Sequence, residues 1–323
     1  MRVVCCLLFG TLALAAAQNP PLKLVATIPL PNIEGRLGRP AADLTGQRVF
    51  VPATTANTLE IVNIASGRVS GSVKGLKGPL AVAYLPVKNR VFVANRDDGT
   101  IRIFDGKSFS QLASVNRTIN ADRLRVHLPT ASVLGTYGTG GVVVMNADGK
   151  VTAELRMESH PEGLEPDRSS NRIFVNDLAR KSIIVADRTT GAPMRTWPLS
   201  TASNNLEMAY DSAGQRLFVT GRRPPKLIII NTFSGVQMDE RDTVRDPGDI
   251  YFDPNSKRVF VIGDGEIDVV RQVSPDRHEP MARETTRKGA RTGLLVPEWN
   301  RLFVAAPKLG DEPAALLVYE VGR

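Results

Sequence analysis

Cysteine is nearly missing from this chain. Its two copies, Cys5 and Cys6, both fall within the first eighteen residues. There Arg2 supplies a basic start, Val3 to Ala16 an apolar run, and Ala15-Ala16-Ala17 a small-residue end. That order predicts a secretory signal peptide over residues 1–18, cleaved after Ala17 or Gln18. The cysteines come too early in the run to carry a lipid anchor. Once the leader is gone no thiol remains, which excludes disulfides, thiolate nucleophiles and Cys-ligated zinc or iron–sulfur sites. Histidine is scarce too, with only His127, His160 and His278. With no haem-attachment motif beside them, a redox propeller would find few axial ligands. No Gly-x-Ser-x-Gly elbow occurs, so a hydrolase of that design has no support.

Long apolar runs and long helical patterns are also absent. After the leader nothing approaches the roughly twenty apolar residues that cross a bilayer, so no membrane span is expected and the product is read as exported, periplasmic or extracellular. No sustained i, i+3, i+4 apolar pattern appears. No run of five or more like charges appears either, although Lys and Arg number 41 against 33 Asp and Glu. Losing Arg2 with the leader takes the formal charge from +8 to +7. A basic excess favours anionic partners, but these charges are scattered, as on a solvated surface. Small clusters stand at Arg222-Arg223 and at Arg287-Lys288 with Arg291.

What is present is a repeat. The motif Arg-apolar-Phe-Val starts at Arg48, Arg90, Arg172, Arg216, Arg258 and Arg301, with a degenerate copy at Ser132-Val133-Leu134. Successive starts lie 40 to 44 residues apart by their numbering. A recurrence of about 40–45 residues with several strands per unit marks a β-propeller blade, as in WD40-like repeats. The units begin near Gly38, Pro79, Ala121, Pro161, Asn205, Pro247 and Ala290. Tight-turn pairs such as Asp98-Gly99, Asp148-Gly149 and Asp264-Gly265 separate their β-rich runs. Leu22 to Pro31 reads as a strand with no unit before it, and Ala314 to Val321 as a third strand with nothing after it. The prediction is one all-β domain over residues 19–323: a seven-bladed β-propeller in which the N-terminal strand completes the last blade and leaves no open sheet edge.

Segments such as Arg90-Val91-Phe92-Val93-Ala94-Asn95, followed by Thr100-Ile101-Arg102-Ile103-Phe104-Asp105, and Asn171-Arg172-Ile173-Phe174-Val175-Asn176-Asp177 resemble the YVTN-type (YncE-like) β-propeller repeat. The resemblance runs from about Leu22 to Arg323 and implies an exported binding or surface protein, a group with diverse roles. Unit three departs most, with Ser132 in place of Arg and Gly135 in place of Val.

Propeller sites usually lie at one mouth of the central channel, on the loops that enter each innermost strand. Counting back nine to ten residues from each anchor gives Gly38-Arg39, Leu80-Ala81, Asp122-Arg123, Glu162-Gly163, Leu206-Glu207, Gly248-Asp249 and Arg291-Thr292. Arg291, Arg39 and Arg123 form a basic arc, and Glu162, Glu207 and Asp249 an acidic one. With Asn204 or Asn205 nearby, those three carboxylates suit a hard divalent cation such as calcium, which would activate water; some lactone-hydrolysing propellers look similar. The plainer alternative is that these charges pair and line a wet channel. His160, in Ser159-His160-Pro161-Glu162, is placed at the mouth, and His127 on an innermost strand is expected only to face the channel. Gly138-Thr139-Gly140-Gly141 lies between strands, so it reads as a hairpin and not a phosphate loop. Asp97-Asp98-Gly99 is too short for an EF-hand loop, and Asn116-Arg117-Thr118 matches a glycosylation sequon.

Two functions follow. The first is a non-catalytic, monomeric propeller without an organic cofactor, binding a small ligand or a macromolecule (protein, glycan or another polyanion) at the channel mouth or a blade face. The ligand set is Arg39, Arg123, His160, Glu162, Asn205, Glu207, Asp249 and Arg291. The second is a metal-dependent lactonase or esterase using Glu162, Glu207 and Asp249.

Overall fold

A computed structural model of the chain describes residues 20–116, 120–138, 140–201 and 203–322. The leader, most of the sequon and Thr139 lie outside them. The strands form seven four-stranded antiparallel sheets; in six the four strands follow one another in the chain, and in the seventh the N-terminal strand lies beside the last three. This is the seven-bladed β-propeller that the repeat predicts. The innermost strands are Ala41–Asp43, Pro79–Leu85, Leu124–His127, Pro161–Pro166, Ser203–Asp211, Asp249–Asp253 and Thr292–Val296. Among the described residues, no helix is long and apolar enough to cross a membrane.

The repeated motif is the second strand of each blade, and its residues divide the work. Phe50, Phe92, Phe174, Phe218, Phe260 and Phe303 are wholly buried, one per blade except the third. The six positions therefore supply large side chains to the layers between sheets, where aromatic burial dominates core energetics. The anchor arginines are structural. Arg48 pairs with Asp43 at 2.5 Å, Arg90 with Asp105 at 3.1 Å and Arg172 with Asp167 at 2.8 Å. Arg48 also lies over the Phe50 ring, 5.4 Å from its centroid. In six blades the residue just before the anchor is left-handed: Gln47, Asn89, Ala131, Gln215, Lys257 and Asn300 all have positive φ. Each closes the hairpin that leads from the innermost strand into the second.

In the third blade the missing bulk at Gly135 is replaced from next door. A Cβ there would stand 2.7 Å from Ile101 Cδ1, so the isoleucine of the second blade occupies the space. The local departure from the repeat is thus a packing exchange between neighbours.

The seventh blade closes as the sequence predicts. Leu22–Pro29 pairs antiparallel with Ala315–Val321, from Leu22 opposite Val321 to Pro29 opposite Ala315. Leu22, Ile28 and Leu30 of the closing segment are buried. Leu30 N–H donates to Ala314 O at 2.7 Å, and Gly322 N–H to Pro21 O at 2.9 Å.

Two of the three histidines are sunk in this scaffold. His127 was expected to face the channel, but it is only 2% exposed and lies 2.7 Å from Thr130 Oγ1, a hydroxyl that Arg188 of the fourth blade also reaches at 3.1 Å. As the last residue of its short strand it is wedged between blades. His278 sits edge-on to Phe218, with ring centroids 5.4 Å apart, and neither ring nitrogen has a hydrogen-bond partner among the described residues. Burial lowers the pKa of both rings; Arg188 adds to the effect at His127, while Asp239 partly opposes it at His278. The unfolded chain therefore takes up these protons first. Their contribution to stability is intact above the unfolded value of about 6.5 and is lost as pH falls below it. Urea unfolding between pH 7 and 5 should show falling stability, and His278→Gln should flatten that slope. An unchanged slope in the variant would show that His278 is not the group responsible.

Candidate functional site

The seven innermost strands do not enter the channel alike. Register slips lie between Pro79 and Ala81, between Pro161 and Leu164, and between Asn205 and Met208. An extra residue in one strand bends it and re-aims its side chains, which brings Glu162 and Glu207 to the channel. In the fifth blade the Thr220 hydroxyl accepts from Glu207 N–H and donates to Glu207 O, both at 3.2 Å. In the third, Thr136 accepts from Arg123 N–H at 3.1 Å. Arg39 is fixed differently: its N–H donates to Leu80 O at 2.8 Å and its carbonyl accepts from Val82 N–H at 3.1 Å. Its backbone thus joins the second blade while its side chain crosses the lumen.

The basic and acidic arcs meet there. Arg39 Nε lies 2.7 Å from Asp249 Oδ1 and 3.1 Å from Glu207 Oε1. Arg123 pairs with Asp122 and Glu207 and reaches Glu162 Oε2 at 3.3 Å. Arg125 completes the group, 3.0 Å from Glu207 Oε2 and 3.1 Å from Glu165 Oε2. Glu207 is wholly buried, and Arg39, Arg123, Asp122 and Asp249 are nearly so. Burial would raise the Asp122 pKa, but Arg123, His160 and Arg39 hold it well below the usual carboxylate range. Burial would likewise loosen the Arg123 proton, yet Asp122, Glu207 and Glu162 raise its pKa above the ordinary value. Tyr251 donates to Gly293 O at 2.5 Å with Asp249 Oδ2 3.3 Å away, and burial pushes its pKa well up.

Of the predicted site residues, Arg39, Arg123, Glu162, Glu207, Asp249 and His160 therefore converge. Arg291 does not join them; it stays at the rim, where Asp246 pairs with both Arg291 and Arg222. Asn205 stands opposite Gly221, and its side chain lies outside the described residues. The carboxylates read as cation ligands are divided: Glu207 and Asp249 turn to one Arg39 nitrogen. Among the described residues, the atoms close enough to share an ion are instead those of Asp122, His160 and Glu162, within 4.8 Å of one another. His160 Nε2 lies 3.5 Å from Asp122 Oδ2 and 3.7 Å from Glu162 Oε1.

Asp122 stands at the mouth position predicted beside Arg123 but outside the predicted ligand set, and Arg125, Arg36 and Arg96 were not anticipated. Arg125 was within reach, because side chains two apart on a strand share a face and Arg123 had been placed in the channel. Arg36 and Arg96 sit in irregular loops, where no period applies.

Above the buried ion pairs lies a cavity of about 220 Å³ lined by Arg36, Arg39, Arg96, Arg123, Arg222 and Arg291 against the carboxylates Asp122 and Glu162. At depth three arginines meet five carboxylates, Asp122, Glu162, Glu165, Glu207 and Asp249; at the rim arginines are in excess. The guanidinium groups of Arg36 and Arg96 have no ion pair or hydrogen bond among the described residues. Arg36 is exposed, yet partial desolvation at the crowded mouth and repulsion from Arg39 lower its pKa, partly opposed by Asp122. The rim can lower that repulsion by taking a negative charge.

No family model matches the chain, and no curated protein matches it. Solved structures do. One is a chain of the mitotic checkpoint complex, with a TM-score of 0.78 and 15% identity over 100% of this chain and 99% of that one. Another is a chain of Kuenenia stuttgartiensis hydrazine synthase, with a TM-score of 0.72 and 13% identity over 85% of this chain and 94% of that one. At such identities they show the propeller fold alone.

Proposed function

We propose that this chain is an exported, non-catalytic propeller of the YVTN type whose arginine-rimmed channel mouth binds an anionic ligand. One observation carries the reading. The guanidinium groups of Arg36 and Arg96 overhang the cavity with no ion pair or hydrogen bond of their own among the described residues, while the carboxylates beneath them are already engaged by Arg39, Arg123 and Arg125. Guanidinium donors suit carboxylate and phosphate oxygens in paired geometry. The anchor repeat supports the family, and the leader sequence supports export.

The test is calorimetric titration of the mature protein with phosphate and with citrate at low and at moderate salt. Binding is expected, weakening as salt rises. Because hydrogen bonds to charged groups contribute about 1.5–3 kcal/mol, Arg36→Ala and Arg96→Ala should each raise the dissociation constant about tenfold or more. Wild-type affinity in both variants would overturn the assignment. The competing reading, a divalent-cation hydrolase, has to displace Arg39 from Glu207 and Asp249 or use the Asp122, His160 and Glu162 atoms. A calcium-dependent rise in melting temperature with lactone turnover would replace the anion-binding reading by that one.

A further inference from the structure

A second cavity, of about 380 Å³, opens beside the first. Arg36, Arg39, Gly248 and Arg291 line both. The remaining walls differ in kind: Leu37, Thr292, Ala305, Pro307 and two glycines, with Asp264 as the only further charged group. Asp264 is taken up locally, since its Oδ1 accepts from Gly289 N–H at 2.7 Å. Gly289 has φ +84°, and a Cβ there would stand 3.1 Å from Pro307 Cγ, so the wall stays thin where the chain turns. The neighbouring cation is drawn away. Arg287 donates to Pro313 O at 2.6 Å and to Pro307 O at 3.2 Å, and pairs with Glu312 at 2.9 Å. These contacts brace the Pro307 wall and hold the Arg287 guanidinium away from the trough.

We propose that the two cavities are one bipartite site for a free organic acid: an anionic head on the rim arginines and a short apolar tail in the trough between the seventh and first blades. This rests on the anion-binding reading above and adds the shape of the ligand. Cavities of a few hundred Å³ with convergent polar groups are typical of small-molecule sites, and the apolar part of this wall is Leu37, Ala305 and Pro307. Arginines common to both chambers fix where head gives way to tail.

The experiment is a titration series from methyl- to octylphosphonate on the mature protein. Affinity should improve about two- to fourfold per methylene, the range for partial to full burial of each group, and then level off once the trough is full. Methylphosphonate binding with no gain along the series would overturn the bipartite site while leaving anion binding in place. Failure of every member, phosphate included, would overturn both. Pro307→Trp, checked by melting temperature, should flatten the series; a retained slope would place the tail elsewhere and overturn the proposal. If that variant does not fold, the ¹⁹F line of 5,5,5-trifluoropentylphosphonate on the wild-type protein decides the point. A shifted, broadened line supports the trough, and a line at the free position overturns it. Anionic phospholipid vesicles separate the source of the acid. No co-sedimentation is expected, and co-sedimentation competed by octylphosphonate would reassign the site to a lipid headgroup.

Discussion

Replacing Glu207 with alanine should cost about 3–5 kcal/mol of folding stability, the usual penalty for removing one partner of a buried ion pair. The side chain is wholly buried, and its two oxygens serve three guanidiniums, those of Arg39, Arg123 and Arg125. Arg39 and Arg123 are themselves buried, so water cannot readily replace the lost carboxylate. Asp249, Asp122 and Glu165 remain, but each already has an arginine partner. Glu207→Gln should fall between wild type and alanine, because the amide keeps an acceptor but not the charge. Urea unfolding reads the change directly. Repeating it in 0.5 M NaCl should alter the difference little, since screening acts mainly on exposed charges. A loss below about 1 kcal/mol, the level of surface ion pairs, would mean that the cluster is solvated and does not tie the blades together.

Deleting residues 20–30 should abolish cooperative folding. The closing segment buries Leu22, Ile28 and Leu30, and each buried side chain of this size contributes about 1.5–3 kcal/mol. Their sum approaches the whole stability of an ordinary domain, about 5–15 kcal/mol. The deletion also strips Ala315–Val321 of its ladder partner, leaving an edge able to recruit other chains. The truncated protein is expected to lack a sharp thermal transition and to aggregate, and a synthetic peptide of residues 20–31 added in trans should restore the transition. A truncated chain that melts within a few degrees of the full one would show that the other six blades and three strands close without it.

The fold was legible in the sequence because a blade is built from near neighbours. The Arg-apolar-Phe-Val motif, its Asp-Gly hairpins and its spacing all act within some forty residues. The closing strand was legible for a related reason: a unit short of one strand and a strand short of a unit complete each other. The site was legible only in part. Counting back from the anchors found Arg39, Arg123, Glu162, Glu207 and Asp249, but counting cannot see the register slips that aim Glu162 and Glu207 inward. Nor can it see that Arg39 meets Asp249 across the ring, more than two hundred residues later in the chain. Arg36 and Arg96 carry no periodic signal, and only the curvature of the mouth sets them together. His127 misled because strand membership was known but the depth between blades was not.

The hydrogen bond from Gly322 to Pro21 has a topological consequence. Where the ring is sewn shut is a property of the covalent thread and not of the architecture, since each seam is an ordinary antiparallel ladder. A short peptide joining the two ends would make the molecule cyclic, and the cut could then be moved to another outer loop, such as the exposed Ser66-Gly67 turn, with every blade keeping its neighbours. The arginine mouth would stay where it is, because the loops that build it depend on the order of the blades around the circle and not on which of them is translated first.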